Sequence, residues 1–209
     1  YALTSKNIII TTATTKGNTF IINTKNKFLT APSVLEATSL TPFINYMTFF
    51  DDQNGILVGD PKGNKWGIAI TKNAGLNWNI FENSIPVDSG EVGILNVAAK
   101  LDNTIWFGTN KGKIIKINNM GETWSADTVC KDAIITSINF ANANRGAAIY
   151  IDLKDNKYYL ATNDGNKWSK GVFDFSKIST FAIPKYVYGT PTGMFLVVFD
   201  NNATYSSKD

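Results

Sequence analysis

The chain has 209 residues, 44% hydrophobic and 18% charged: enough for one sizeable buried core, and too polar throughout for a membrane-spanning segment. It contains no His, one Cys (Cys130), one Arg (Arg145) and a formal charge of +3. Those absences exclude a Ser-His-Asp triad, a Cys-His pair, an internal disulfide, a thiolate zinc site and any grip on a carboxylate or phosphate that needs several guanidinium groups.

The lysines lie scattered beside turn residues and never form a run that could track phosphates, so no nucleic-acid partner is expected. No loop alternates oxygen ligands as a dedicated calcium site does, and neither a metal nor a cofactor is expected. Cys130 reads as a small buried group at a strand end. The chain opens at Tyr1 without an initiator Met or an apolar signal core, and so reads as a processed or trimmed product from which any export signal has gone.

Asn is abundant at 24 residues and, with 16 Gly, places turn formers every few positions. Between them lie short runs rich in β-branched and aromatic residues, at 7–15, 19–22, 55–58, 68–71, 113–117, 147–152 and 194–199, which predict strands. The regions around Pro42 and at 85–90 read as connections. No stretch of a dozen residues combines helical spacing with a cap at each end.

One unit repeats. Residues 71–78 (Thr-Lys-Asn-Ala-Gly-Leu-Asn-Trp) align with 117–124 (Ile-Asn-Asn-Met-Gly-Glu-Thr-Trp) and 161–168 (Ala-Thr-Asn-Asp-Gly-Asn-Lys-Trp). Asn holds the third place, Gly the fifth and Trp the eighth. The register extends back to Thr24-Lys25-Asn26, where Phe28 and Ala31 replace Gly and Trp, and forward to Ser207-Lys208-Asp209. The third places, 26, 73, 119, 163 and 209, are 47, 46, 44 and 46 residues apart. Each interval holds four short apolar runs separated by turns. This predicts an all-β fold, a β-propeller of four-stranded antiparallel blades at about 1–40, 41–86, 87–130, 131–176 and 177–209 in a single domain. Five blades are visible, and the interrupted first and last units favour a portion of a larger ring of about seven blades over a compact five-bladed ring completed by the two ends.

The units resemble the Asp-box, or bacterial neuraminidase repeat, Ser/Thr-x-Asp-x-Gly-x-Thr-Trp. The surroundings Phe50 to Gly55 and Gly59-Asp60-Pro61 are similar to the subgroup related to photosystem assembly and stability factors, common among exported bacterial proteins. In such a box the Asn or Asp bonds nearby backbone and shapes the turn, Gly takes a positive φ, and Trp folds over the hairpin base. Asn73, Gly75, Trp78, Asn119, Gly121, Trp124, Asn163, Gly165 and Trp168 are therefore read as scaffold. Sialidases of the superfamily hold the substrate carboxylate with three arginines beside a Tyr nucleophile, a Glu and an Asp acid. Arg145 alone cannot assemble that cluster, and Glu82, Glu91 and Asp88 read as solvated loop charges, so no catalytic residue is assigned and no enzyme is expected.

Binding is expected instead on the end of the blades opposite the Asp-box hairpins, presenting Asp60, Lys62, Asn64 and Trp66 from one loop, Asp88 and Glu91 from a connection, and Lys111, Lys131, Asp132, Asp152, Lys154 and Asp155 from later blades. Trp66 is the first choice for a partner contact, packing between blades being its alternative. The expected function is a non-catalytic scaffold or binding module for a protein partner, exported or at a cell surface. The alternative is a sialidase-like carbohydrate-active enzyme or glycan-binding protein.

Overall fold

A computed structural model describes all residues except 1, 4–6, 25–29, 82–84, 179–181 and 208–209. Most of the imperfect unit at 24–31, Glu82, and Lys208 and Asp209 of the last unit lie outside the described residues. The chain divides into two compact units, Tyr1–Glu91 with Asn118–Trp124, and Val92–Ile117 with Ser125–Asp209.

The described residues hold no α-helix and form five sheets whose strands pair in sequence order. The first sheet comprises β1 (Ala2–Leu3), β2 (Ile8–Ala13), β3 (Thr19–Thr24) and β4 (Ser33–Glu36), and the second β5 (Ile44–Phe49), β6 (Gly55–Lys62), β7 (Lys65–Thr71) and β8 (Asn79–Ile80). The third comprises β9 (Gly93–Leu101), β10 (Thr104–Thr109), β11 (Lys113–Asn118) and β12 (Thr123–Thr128), and the fourth β13 (Ala133–Asn142), β14 (Arg145–Asp152), β15 (Lys157–Asn163) and β16 (Trp168–Asp174). The fifth has three strands, β17 (Pro184–Gly189), β18 (Phe195–Phe199) and β19 (Thr204–Ser206). Each sheet lies inside one predicted blade interval.

The strand rich in apolar residues is the second of its sheet, because both its faces are covered. In β14, Ala148 and Tyr150 join a core with Trp106, Ile135 and Phe140, while the alternate residues Ala147 and Ile149 join another with Phe175, Val187 and Phe199. A period of two thus feeds two cores, so the run reads as continuously apolar rather than alternating. In the first unit, Ile9, Ile21, Met47, Phe49, Leu57 and Trp78 pack into one core.

One strand end differs from expectation. β6 continues through Asp60, Pro61 and Lys62, which the sequence places in a turn, and only Gly63 and Asn64 reverse the chain before Lys62 pairs with Lys65. Proline is tolerated there because the ladder slips between Gly59 and Lys62, where no amide need be donated. A similar slip occurs in the first strand of three sheets, between Ile44 and Tyr46, Ile135 and Ser137, and Pro184 and Tyr186.

Candidate binding site

The three complete eight-residue units build different hairpins. In the first, the Thr71 hydroxyl donates to Asn73 Oδ1 at 3.0 Å and accepts the amides of Asn73 (3.3 Å) and Gly75 (2.9 Å). Asn73 Oδ1 also accepts the Asn77 amide at 2.9 Å. The Ala74 carbonyl then receives the side-chain amides of Asn23 (2.9 Å) and Asn7 (3.3 Å), tying the hairpin tip to the first sheet. In the third unit Asn163 Oδ1 accepts the Gly165 amide at 2.8 Å, and Asp164 Oδ1 accepts those of Asn166 and Lys167, each at 3.0 Å.

The middle unit departs from the plan. Asn119, Met120 and Gly121 form a 3-10 turn in which all three have positive φ, and Asn119 is exposed. The turn closes through backbone bonds from the Glu122 amide to the carbonyls of Asn118 and Asn119. Position one explains the difference in part. Only Thr71 supplies a hydroxyl there, Ile117 and Ala161 having none, a signal legible in the sequence. Gly75, Gly121 and Gly165 all adopt the expected positive φ, at 80°, 110° and 95°. Of the indoles expected to fold over the hairpin bases, Trp78 is buried, whereas Trp124 and Trp168 are only half-buried.

The two backbone bonds into Asp164 hold its carboxyl below the ordinary value of 3.8, the Lys167 amide contributing most. A lowered folded pKa stabilises the fold above the unfolded value and loses that contribution as pH falls through the folded one. Asp164→Asn keeps the acceptor oxygen and removes the titration. Its deficit relative to the parent chain in urea midpoint should therefore be present above about pH 5 and vanish toward about pH 2. A deficit constant over that range would refute the assignment.

Of the residues expected to present a binding surface, Trp66 and Glu91 are buried, Asp60 and Asp152 are half-buried and the others are exposed. Trp66, on β7, is 6% exposed, which removes it as an exposed contact. Asp60, on β6, accepts the Asn45 side-chain amide at 2.7 Å, and the Lys62 ammonium donates to the Ser39 carbonyl at 3.1 Å. Pairing of Lys65 with Pro86 sets the 85–91 connection beside the β6–β7 turn, where Asn64 and Asp88 are exposed. Glu91 is not a solvated charge. It is 2% exposed, its Oε2 accepts the Asp88 amide at 2.9 Å, and its own amide donates to the Asp88 carbonyl at 3.0 Å, so the carboxylate closes a turn.

In the second unit Lys111 is exposed at the β10–β11 turn, and Lys131, Asp132, Lys154 and Asp155 are also exposed. Asp152 accepts the Lys154 amide at 3.0 Å and the Cys130 thiol at 3.5 Å; burial, then Asp152, pushes that thiol pKa up. Asp155 accepts the Tyr159 hydroxyl at 2.5 Å, which lifts the phenol to about 12. These acids shape turns. Among the described residues no three Cys, Asp or Glu side chains gather as a metal-ligand set.

Two adjoining clefts lie elsewhere, where the fourth and fifth sheets meet. One, of about 340 Å³, is lined by Asn144, Arg145, Asn163, Asp164, Ser169 and Ser207 among others. The other, of about 200 Å³, is lined mainly by Leu160, Phe173, Phe175, Phe195 and Tyr205. Leu160, Phe195 and Ser207 border both, so a polar end with the chain's sole Arg runs into an apolar end. Because Asn163 and Asp164 belong to an eight-residue unit and Asn144 to the β13–β14 turn, the polar cleft opens at the hairpin end of the fourth sheet. This is the reverse of the end expected from the sequence. In the sequence Arg145 is a lone guanidinium that cannot assemble a three-arginine cluster, and no local pattern marks it as a cleft residue.

No protein-family model matches the chain, and no curated protein matches it in sequence. Solved structures do. A structure of YCF48 bound to a D1 peptide is similar with a TM-score of 0.50 and 18% identity, over 76% of this chain and 47% of that one. The six-bladed β-propeller lectin of the fungus Aleuria aurantia gives 0.57 and 13% over 98% and 72%, and a chain of the mitotic checkpoint complex 0.57 and 11% over 98% and 59%. The chain spans about half the length of the YCF48 chain, at 47%. The likeness is one of fold, and with the five antiparallel sheets it identifies a β-propeller fold. No helix among the described residues is long and apolar enough to cross a membrane.

Proposed function

We propose that the chain is a non-catalytic β-propeller module that binds a protein partner within an exported or cell-surface protein, and that its eight-residue units are those of the Asp-box propellers. The observation that carries this reading is the paired cleft, which places a guanidinium and several amide and hydroxyl groups beside an aromatic-lined hollow. Such a surface suits recognition by one charged contact and one apolar anchor. The likeness to YCF48, solved with a bound peptide, is in keeping with it. A second reading, glycan binding, is favoured by the Asn, Asp, Arg and Ser side chains of the polar cleft, a hydrogen-bonding set suited to sugar hydroxyls.

The test is quantitative affinity purification from the source cells with the parent chain and with Arg145→Ala as baits, followed by direct binding of the purified candidate. One protein retained by the parent and reduced about tenfold or more on the variant is expected. Retention of a glycan on an array with no protein partner would favour the second reading, and turnover of glycoside substrates by the purified chain would overturn the non-catalytic assignment.

A further inference from the structure

At the end of the third and fourth sheets opposite their eight-residue hairpins, three turns of the second unit are bonded into one platform. The geometry points to that platform as a docking surface for an acidic segment of a partner protein that carries an aliphatic side chain. This inference rests on the protein-partner reading and adds to it a second surface and the charge of what that surface holds. Both sheets have all four of their strands.

The first observation is rigidity. The β10–β11 turn, the connection 129–132 between β12 and β13, and the β14–β15 turn are joined through their backbones. The Gly112 carbonyl accepts the amides of Val129 at 2.8 Å and Cys130 at 3.4 Å, and the Asp132 carbonyl accepts that of Leu153 at 3.0 Å. The start of β9 is pinned to the same turns, because the Asn110 amide donates to the Val92 carbonyl at 3.1 Å while Asn110 Oδ1 accepts the Val92 amide at 2.8 Å. Only glycine suits the first joint: Gly112 has a φ of +69°, and a Cβ there would run into the Cys130 carbonyl oxygen. Lys111, Lys131 and Lys154 therefore stand on neighbouring turns whose spacing is set before a partner arrives, which lowers the ordering cost of binding.

The second observation is charge. All three lysines are exposed, and among the described residues their ammonium groups have neither a hydrogen-bond nor an ion-pair partner. Residues 110–113, 129–132 and 152–157 together hold five Lys and three Asp, a net charge of +2. Two of those acids are engaged inside the platform. Asp152 accepts the Lys154 amide and the Cys130 thiol, and Asp155 accepts the Lys157 amide and the Tyr159 hydroxyl. The third observation is what lies beside the lysines: Val92 and Leu153 are 37% and 52% exposed. The three turns contain no aromatic residue on which a base could stack, and an isologous second copy would set lysine against lysine. An acidic peptide segment with one aliphatic residue meets both the charge and the apolar contacts.

The experiment is fluorescence anisotropy of the full chain with a labelled, end-capped peptide of Ser and Gly carrying several Glu around a central Leu. Saturable binding at low ionic strength is expected, weakening as salt is raised. Affinity should fall about tenfold or more in the triple variant Lys111→Gln, Lys131→Gln, Lys154→Gln, and about threefold with Leu153→Ser. The triple variant Lys16→Gln, Lys72→Gln, Lys167→Gln removes the same charge from exposed turns outside the platform and should change it much less. Far-ultraviolet circular dichroism and an unchanged urea midpoint would show that each variant is folded. Equal losses in the two triple variants would reduce the effect to net charge and overturn the proposal, as would equal affinity for a peptide with Gln in place of Glu. Tighter binding of a labelled oligothymidylate, lost with the same three platform lysines, would assign the surface to a nucleic acid and also overturn it. If the peptide fails to bind while affinity purification yields a partner reduced by Arg145→Ala, this surface is wrong and the module reading survives; if both fail, both are wrong.

Discussion

Trp78→Ala should lower the unfolding free energy by about 3–5 kcal/mol, and Trp168→Ala by clearly less, as read from urea unfolding of the two variants. The two residues occupy the same place in the repeat, so the difference comes from packing alone. Trp78 is 7% exposed, meets Phe49 edge-on at 6.0 Å and completes a core with Ile9, Ile21, Met47 and Leu57. Truncation leaves a cavity which the β-sheets on its borders cannot close. Trp168 meets Phe140 in the same edge-on manner, at 5.8 Å, but is half-buried, so water can take part of its place. The Trp78 Nε1–H is buried without a hydrogen-bond partner among the described residues. Trp78→Phe should therefore recover most of the loss, because it keeps the ring burial and discards a donor that gains nothing. Equal losses for the two alanine variants would show that the repeat position, rather than burial, sets the contribution.

The second large effect is expected at Gly146. It stands directly opposite Phe140 in the β13–β14 ladder, and a Cβ there would lie 2.4 Å from the Phe140 ring. The ring has no room to retreat. It stacks on Trp106 at 3.9 Å on one side and meets Trp168 on another. Gly146→Ala should cost about 1–3 kcal/mol or more through overpacking, and Phe140→Leu in that background should restore part of it. Strict additivity of the two substitutions in urea unfolding would disprove the clash. The same arrangement recurs in the first unit, where Gly55 stands opposite Phe49 and a Cβ would lie 2.8 Å from its ring. Phe, Gly and the Trp of the eight-residue unit thus form one repeated cluster. Its sequence trace is a Phe six places before a Gly, at 49 and 55 and again at 140 and 146.

That trace was available in the sequence, yet only the ladder shows what it is for, since a register partner is a nonlocal fact. The fate of the binding candidates has the same cause. Trp66, Asp60 and Glu91 have the polar or aromatic neighbours of exposed loop residues, but pairing of Lys62 with Lys65 shortens the turn to Gly63 and Asn64 and places Asp60 and Trp66 on the flanking strands, while Glu91 is held by its turn with Asp88. Asn119 shares its letter and place with Asn73 and Asn163, while a left-handed φ at Asn119 and Met120 gives its turn another shape.

What the order of amino acids determined by itself was everything with a local cause: short strands between Asn and Gly turns, a recurrence of 44 to 47 residues, positive φ at three glycines and the lack of groups for His or multiple-Arg chemistry. Tertiary structure alone decided which side chains are covered, and that the polar cleft lies at the hairpin end of the fourth sheet, beside Arg145 and next to an apolar hollow. Burial and clefts arise where two sheets meet, and residues such as Arg145 and Ser207 become neighbours only through pairings that no stretch of eight residues contains.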